Sequence, residues 1–387
     1  MWFVDRKFFG TRKHLLVDGA EVSWVDDVPY GILDYASCEH DSLLNFLAVL
    51  DDVEIPELLP ENIRETLEIT GIPRSCSGAG FLLRAKELHG LIHSFVSKIA
   101  PLVEILEPYQ KTYFRNAKVL SKCQDALYSP ARLKVVDTMQ KITLNRDGFA
   151  SHPVYNIGKG KTGRMSVVKG SQILTCPREV KECIRSRFEG GKIVEIDFSS
   201  LEPRTALAVM GSSLAESPDI YSHVGDLFSP PLSREKAKQV TISFLYGAAK
   251  STIQNLIGRP DKIETQLAAL HKMFGFNEVV DNAAGQVVEF GFFRNHAGRP
   301  IYPQSSKKGL LFNNYCQSSA VDVALSGFSY LLEYVEQNTR AVPLYFIHDA
   351  IILDVPPDDY DKIEKESKFL PTYLGINFPT KIKTLHN

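Results

Sequence analysis

The sequence predicts an α+β protein, in which strands form a core and helices form lobes around it. Two apolar stretches predict strands, GKIVEIDFSS at residues 191–200 and PLYFIHDAIILDVP at residues 343–356. Apolar residues recur at steps of three and four between residues 81 and 127, which predicts helices there. The chain therefore combines both kinds of element, and no internal repeat is visible.

The amino-terminal part contains two short strand-like pieces, HLLVDG and AEVSWV, and then the acidic stretch DDVEIPELLPE, whose prolines suggest a boundary near residue 60. The helical region at 81–127 follows and is interrupted near Pro101 and Pro108. Paired helices with basic outer faces would suit an arm lying along a duplex. A plain helical bundle is the simpler interpretation of the same pattern.

The later elements carry acids and bases at their ends. The strand at 191–200 has Asp197 near its end, and a helix is predicted over residues 201–212 with Pro203 in its first turn. A further helix is predicted from Ser233, as the N-cap, through Tyr246. The stretch at 343–356 predicts a hairpin of two apolar strands with His348 and Asp349 at the turn.

Composition predicts a soluble, cytoplasmic protein. The 387 residues are 44% hydrophobic and 23% charged, and the six cysteines are scattered without a CxxC pair, which is typical of reduced thiols. No apolar run approaches the roughly 20 residues of a membrane span. Charges interrupt the start MWFVDRKFFGTRKHLL too early for a secretory signal.

The net charge of −2 hides a basic run between residues 156 and 187. A basic run is typical of a solvated face or of a phosphate-binding surface, and the sequence leaves both open. Its eight cations, set against two glutamates, are Lys159, Lys161, Arg164, Lys169, Arg178, Lys181, Arg185 and Arg187.

Two aspartates stand at the ends of apolar strands, where a carboxylate costs free energy unless it is solvated, paired or bound to metal. Asp197 and Asp349 are 152 residues apart in the sequence and can converge only in the fold. A pair of Mg²⁺ ions would remove their repulsion and could clamp the oxygens of a phosphoryl displacement. For either aspartate alone, turn capping is an equally good explanation.

The predicted helix after Ser233 carries four residues at steps of four, which places them on one face. That face presents two cations, an aliphatic side chain and then a tyrosine, and it suits a triphosphate followed by a base. A surface helix would explain the cations but not the SFLYG that follows. The four residues are Arg234, Lys238, Ile242 and Tyr246.

Three blocks in order resemble motifs A, B and C of the family A DNA polymerases, the bacterial DNA polymerase I type: DFSSLEPR, REKAKQVTISFLYG and HDA. TGRMS, PDIYSHVGDLF, GFFRNHAGRPIYP and NNYCQSSAVDVA resemble further family segments. The resemblance covers about residues 150 to 387. Each motif alone is weakly specific, whereas the ordered set is strongly specific.

The resemblance implies a right-hand polymerase fold, with an antiparallel-sheet palm, helical fingers and a helical thumb, plus a small amino-terminal segment. The implied divisions are an amino-terminal segment at 1–65, thumb at 66–150, palm at 151–214, fingers at 215–305 and palm again at 306–387.

The implied function is a template-directed DNA polymerase that extends a primer 3′-hydroxyl with dNTPs. Two Mg²⁺ ions, for which Mn²⁺ can substitute, would assist the attack on the α-phosphorus. The expected partners are primer–template DNA and dNTPs, with no membrane. We also expect a monomer whose amino-terminal segment could dock accessory replication proteins.

The resemblance also implies roles for individual residues. Asp197 and Asp349, helped by the carbonyl of Phe198, would bind the metals. Arg234 and Lys238 would hold the triphosphate, and Lys238 would protonate the pyrophosphate. The other implied nucleotide contacts are Ile242, Tyr246, Glu202 and Tyr221. The implied DNA contacts, mainly in the minor groove, where acceptors are common to all correct pairs, are Arg164, Gln172, Asn313, Gln317 and His348.

Glu202 decides the sugar in this resemblance. The related single-subunit RNA polymerases have a small residue there, which leaves space for a ribose 2′-hydroxyl, whereas a glutamate fills that space. The implied substrate is therefore a deoxynucleotide. The alternatives are a single-subunit RNA polymerase, or a nucleic-acid binder that kept the fold without the chemistry.

The chain departs from the family pattern at several places. Ala350 stands where many members have a second acid, Ile242 where an aromatic residue is common, and Gly309 where an arginine is common, with Lys307 or Lys308 as substitutes. Tyr221 replaces a histidine of the bacterial enzymes and favours a phage-encoded relative, located in the host cytoplasm. Only about 60 residues precede the helical arm, so we expect no 3′–5′ exonuclease domain.

Overall fold

The computed structural model describes residues 108–157, 160–258 and 263–386, together with four strands nearer the amino terminus. The chain divides into two compact units. The first unit comprises Met1–Cys123, His152–Lys159 and Met165–Gln172. The second unit comprises Gln124–Ser151, Gly160–Arg164 and Ile173–Asn387.

The described strands and helices are numbered in chain order. The strands β1 to β16 are Trp2–Val4, His14–Asp18, Glu21–Val25, Tyr35–Ala36, Ala126–Tyr128, Phe149–Ala150, Val154–Asn156, Ser166–Lys169, Ile184–Arg185, Lys192–Phe198, Phe293–Arg294, Pro300–Ile301, Val342–Ile347, Ala350–Val355, Phe369–Pro371 and Asn377–His386. The helices α1 to α11 are Pro108–Leu120, Pro130–Val136, Arg178–Lys181, Leu201–Val209, Ile220–Gly225, Arg234–Leu245, Lys250–Ile257, Glu264–Met273, Phe276–Phe290, Lys308–Asn338 and Tyr360–Glu366.

The first unit contains a four-stranded sheet in the order β3-β2-β1-β4. The pieces HLLVDG and AEVSWV form strands β2 and β3, as predicted, and these two pair antiparallel. Strand β1 pairs parallel with β4. Elsewhere in this unit β7 pairs antiparallel with β8, and helix α1 contacts β7.

The second unit is built on a five-stranded antiparallel sheet in the order β13-β14-β10-β16-β15. Strand β14 is buried along its whole length, because it lies between two neighbouring strands. Helix α10 packs on the sheet face that carries Phe198, where a Cβ on Gly327 would lie 2.7 Å from the Phe198 ring. That glycine allows the 31-residue helix to approach β10 closely.

Helices α4 to α10 form a second hydrophobic core in the same unit. Its centre is Phe244 of α6, whose ring lies 5.7 to 5.8 Å from the rings of Phe274, Phe276 and Phe312. Aromatic rings at these separations add dispersion and quadrupole attraction to their area burial. The buried side of α6 is thereby fixed, and its other side faces solvent.

The strands and helices that carry the predicted chemistry are confirmed. Strand β10 covers the predicted 191–200 stretch, and β13 and β14 form the predicted hairpin. Helix α4 begins at Leu201, and α6 begins after Ser233, whose side chain accepts a hydrogen bond from the Lys236 N–H. This mixture of strands and helices agrees with the predicted α+β class.

The prediction of helix through residue 127 is wrong at its end. Helix α1 ends at Leu120, and Ala126–Tyr128 is a strand that pairs with β6 and β9, so partners distant in sequence override the local apolar spacing. The thumb is predicted at 66–150, and its residues 66–107 lie outside the described part of the chain. Its residues from Gln124 belong to the second unit. The acidic boundary near residue 60 also lies outside the described residues.

None of the helices in the described part of the chain has both the length and the apolar character needed to cross a bilayer.

Candidate active site

Asp197 and Asp349 lie side by side at one end of the central sheet. Asp197 is opposite Ala350 in the pairing of β10 with β14, and the Phe198 N–H donates to the Asp349 carbonyl oxygen at 3.1 Å. His348, the other residue of the β13–β14 turn, adopts a left-handed φ of +57°. The pairing of β10 with β14 thus brings together two acids that are 152 residues apart in the sequence.

The two carboxyl groups hold their protons more strongly than ordinary aspartates do. Burial, and then the charge of Asp349, raises the pKa of Asp197 from 3.8 to about 7. Burial also raises the pKa of Asp349, although His348 and Arg164 oppose that rise. Two acids that resist ionisation together are suited to share a cation, because a cation relieves both the desolvation and the repulsion.

In metal-free protein at pH 8, Asp197→Asn is expected to raise the midpoint of thermal unfolding by about 2–5 °C. Because the pKa of Asp197 is about 7 in the folded protein and 3.8 in the unfolded chain, the unaltered protein loses stability as the pH rises from about 4 to about 7. The advantage of the variant should shrink at pH 5 and vanish below about pH 4. Circular dichroism melts in EDTA measure this, and equal midpoints at pH 8 would contradict it.

Three further charged residues lie near the aspartates, and the sequence interpretation did not single them out for the site. Glu195 precedes Asp197 by two residues in β10, so alternation puts both side chains on the same sheet face. Lys181 donates to the Glu195 carboxylate at 2.6 Å, and Lys381 lies opposite Asp197 in β16. Both lysine charges lower the pKa of Asp197, whereas the Glu195 charge raises it.

Arg164 connects the start of α4 with the end of α6. Its guanidinium donates to the Glu202 carboxylate at 3.0 Å and to the Tyr246 hydroxyl oxygen at 3.1 Å. Burial raises the pKa of Glu202, and the charge and hydrogen bond of Arg164 lower it. The charge of Asp349 also acts on Glu202, so this network lies beside the aspartate pair.

Helix α6 presents the predicted cationic and aromatic face to solvent. Ile242 is 39% and Tyr246 is 44% exposed, and Arg234 and Lys238 are exposed on the same side. The Arg234 guanidinium donates to Asp219 at 3.0 Å and lies 5.5 Å from the centre of the Tyr221 ring. Asp219, which also caps α5, was not predicted and holds Arg234 in place.

A buried ion pair supports the segment that carries Arg164. Arg299 donates to Asp322 of α10 at 2.8 Å, and their side chains are 4% and 0% exposed. Asn295 donates to the same carboxylate at 2.7 Å. A Cβ built on Gly163 would lie 2.4 Å from the Arg299 guanidinium carbon, so the backbone beside Arg164 rests directly on that group.

Gly163→Ala is expected to cost about 2–4 kcal/mol of unfolding free energy, from the left-handed φ of +73° and the clash with Arg299 together. Gly258→Ala is the matched control, because its φ is +72° and no atom lies within 4 Å of its Cβ position. The control should cost only about 1 kcal/mol. Urea unfolding compares the two, and equal losses would show that Arg299 does not support this backbone.

The remaining predicted residues are distributed as follows. Thr162 donates to the Gln317 side chain at 2.7 Å, and Asn313 donates to the Leu245 carbonyl at 3.2 Å, so α10 contacts both the 160–164 segment and α6. Burial, and then the charge of Arg164, lowers the pKa of His348. Gln172 belongs to the first unit. The Phe198 side chain is buried against Phe328, so only its backbone could serve a metal.

The donor set fits a hard divalent cation. Mg²⁺ uses one or two protein carboxylates and completes its octahedron with water and phosphate oxygens, and Asp197 and Asp349 offer such a pair. Within the described ranges, no three His, Cys, Asp or Glu side chains are grouped so that they could hold one ion. The pair would therefore bind metal together with substrate rather than in a closed protein cage.

No protein-family model matches the sequence, and no curated protein matches it. The structure is similar to that of the POL domain of Pol1 from M. smegmatis in complex with DNA primer-template and dNTP. The TM-score is 0.49 and the sequence identity is 16%. The similarity covers 90% of this chain and 60% of that chain.

Proposed function

We propose that the protein is a template-directed DNA polymerase of the family A type that extends a primer 3′-hydroxyl with dNTPs. The main support is the position of Asp197 and Asp349 at adjacent strand ends, beside the contact of Arg164 with Glu202 and Tyr246. An acid pair for metals and an exposed cationic helix are the two parts that phosphoryl transfer from a triphosphate requires.

The metal site consists of Asp197 and Asp349, with the Phe198 carbonyl as a further oxygen donor. Bound Mg²⁺ supplies charge neutralisation at the phosphates and lowers the pKa of the attacking hydroxyl. The protein holds the two carboxylates at a rigid strand end and turn, so that little reorganisation is needed on binding. The raised pKa values of both carboxyl groups support this role, because a site that favours a proton over a bare carboxylate also favours a cation.

The incoming triphosphate lies along α6 in this proposal. Arg234 and Lys238 stand one helical turn apart on its exposed face and would bind phosphate oxygens, with Lys238 also donating a proton to the pyrophosphate. Asp219 and the Tyr221 ring orient Arg234 before the nucleotide arrives. Ile242 would contact the base through dispersion alone.

In this proposal, Glu202 and Tyr246 contact the sugar and the base of the incoming nucleotide. Arg164 donates to both side chains, which supports a fixed position for Glu202. In this proposal the glutamate fills the space that a 2′-hydroxyl would need. The sequence-independent contacts to primer and template fall to Arg164, His348, Gln317 and Asn313. Donors in the minor groove check the geometry of a base pair without reading its identity.

Incorporation of a single nucleotide on a labelled primer–template tests the proposal. With Mg²⁺, we expect the complementary dNTP to be added, the three other dNTPs to be added far more slowly, and the complementary NTP to be nearly excluded. Preferential addition of NTPs would instead support a single-subunit RNA polymerase. Tight duplex binding without any addition, in Mg²⁺ or in Mn²⁺, would support a non-catalytic binder and refute the proposal.

A further inference from the structure

The sheet face that carries Asp197 also carries a third acid. Glu195 stands two residues earlier in β10, opposite Ile352 of β14, while Asp197 stands opposite Ala350. Residues two apart on a strand project from the same face, roughly 7 Å apart. Ala350, which stands opposite Asp197 in β14, has no charge, and the other acid of β10 is Glu195.

Glu195 forms a short ion pair with Lys181. The Lys181 ammonium at the end of α3 donates to its carboxylate at 2.6 Å, and the two side chains are 18% and 16% exposed. A mostly buried ion pair gains little over apolar side chains of similar size, because desolvation offsets most of the attraction. Its charges can therefore serve the neighbouring site as well as the fold.

The charges of this pair lie close to Asp197. Glu195 is on the same face of β10 as Asp197, and the Lys181 ammonium is bonded to the Glu195 carboxylate. Glu195 therefore makes the electric potential at the aspartate pair more negative, and Lys181 makes it more positive. Glu195 would therefore attract a divalent cation bound to the aspartates, and Lys181 would repel it.

We propose that Glu195 is a positioning residue of the metal site, which strengthens divalent-cation binding by Asp197 and Asp349, and that Lys181 is the counter-ion that weakens it. The proposal rests on the proposed function. Since no three acidic, histidine or cysteine side chains of the described residues could hold one ion, Glu195 acts through its charge and through metal-bound water. The charge of Lys181 then affects the concentration of divalent cation at which the site is half occupied.

Titration of the full chain with Mn²⁺ alone, in the absence of DNA and nucleotide, tests this by electron paramagnetic resonance of the free ion. Glu195→Gln is expected to weaken Mn²⁺ binding about ten-fold, and Lys181→Met to strengthen it about three-fold. The double variant should lie between the two. Circular dichroism melts of each variant verify that the fold is retained.

The opposite signs separate this role from a structural one. If the ion pair only supported the fold, both substitutions would break it and would change Mn²⁺ affinity in the same direction. Lys362→Met is the matched control, since it breaks another lysine–carboxylate pair, with Asp359 at 2.8 Å, and should leave Mn²⁺ affinity unchanged. An unchanged affinity in Glu195→Gln, or a shared direction for the two variants, would overturn the proposal.

Two further measurements distinguish the failure of this proposal from the failure of the proposed function. If Asp197→Asn leaves Mn²⁺ binding unchanged and the unaltered protein does not extend a primer, the aspartate pair is not a metal site and both proposals fail. If Asp197→Asn abolishes Mn²⁺ binding and the unaltered protein extends a primer while Glu195→Gln binds normally, only the role of Glu195 fails.

Discussion

Asp349→Asn is expected to lower the rate of primer extension roughly a thousand-fold or more, which is about 4 kcal/mol of transition-state stabilisation. Asparagine fits the turn but removes the negative charge that would hold a divalent cation against the triphosphate. Asp197→Asn should have an effect of the same size. If the two carboxylates serve one metal site, as proposed, the double variant should be hardly slower than either single variant.

Single-turnover extension with saturating dNTP measures this loss, and fluorescence anisotropy of labelled primer–template measures binding. Duplex affinity should change less than about three-fold, since phosphate contacts dominate it. Asp361→Asn, at an exposed position of α11, is the control for loss of one acid and should extend at the normal rate. Turnover of either site variant within ten-fold of the unaltered protein would refute the metal assignment.

The elements of the site were predictable because each carries a local signal. Strand β10 carries the apolar residues Ile193, Val194 and Ile196 before Asp197, and the hairpin is apolar on both sides of His348 and Asp349. Helix α6 has its N-cap and its four exposed residues at the predicted positions. Burial patterns and caps operate over a few residues, so the sequence contains them directly.

The contacts between these elements were not predictable in the same way. The sequence does not state that Arg164 reaches Tyr246, 82 residues later, or that Arg299 pairs with Asp322 beneath Gly163. Such pairs arise when helices and loops pack, and no periodicity records them. Glu195 is different, because strand alternation alone places it on the face of Asp197, and that signal was available.

The central sheet also alters the effect expected from Ala350, which stands where the resemblance implies a second acid. In the sequence, the absence of an acid beside Asp349 predicts weakened or altered metal binding. In the structure, Ala350 lies opposite Asp197 and is 4% exposed, and another carboxylate occupies the same face from within β10. The number of acids near the site is therefore set by the sheet register rather than by the motif alone.

Glu202→Ala is expected to reduce the preference for dNTPs over NTPs by about 10–200-fold, through faster use of the ribonucleotide. The side chain is held by Arg164 at 3.0 Å and is 22% exposed, so it occupies a defined volume beside the aspartate pair. If Glu202 excludes the ribose, as proposed, its removal would leave space for a 2′-hydroxyl. The rate with dNTPs should also fall somewhat, because Arg164 and Tyr246 lose the partner that orients them.

Glu202→Gln separates the size of this side chain from its charge. Glutamine fills nearly the same volume but cannot form the ion pair with Arg164, so the variant should keep most of the sugar preference while losing some nucleotide affinity. Single-nucleotide kcat/KM values for a matched dNTP and NTP give the preference for each variant. If Glu202→Ala discriminates as well as the unaltered protein, the glutamate does not exclude the hydroxyl. If Glu202→Gln loses as much preference as Glu202→Ala, the selection depends on charge rather than on volume.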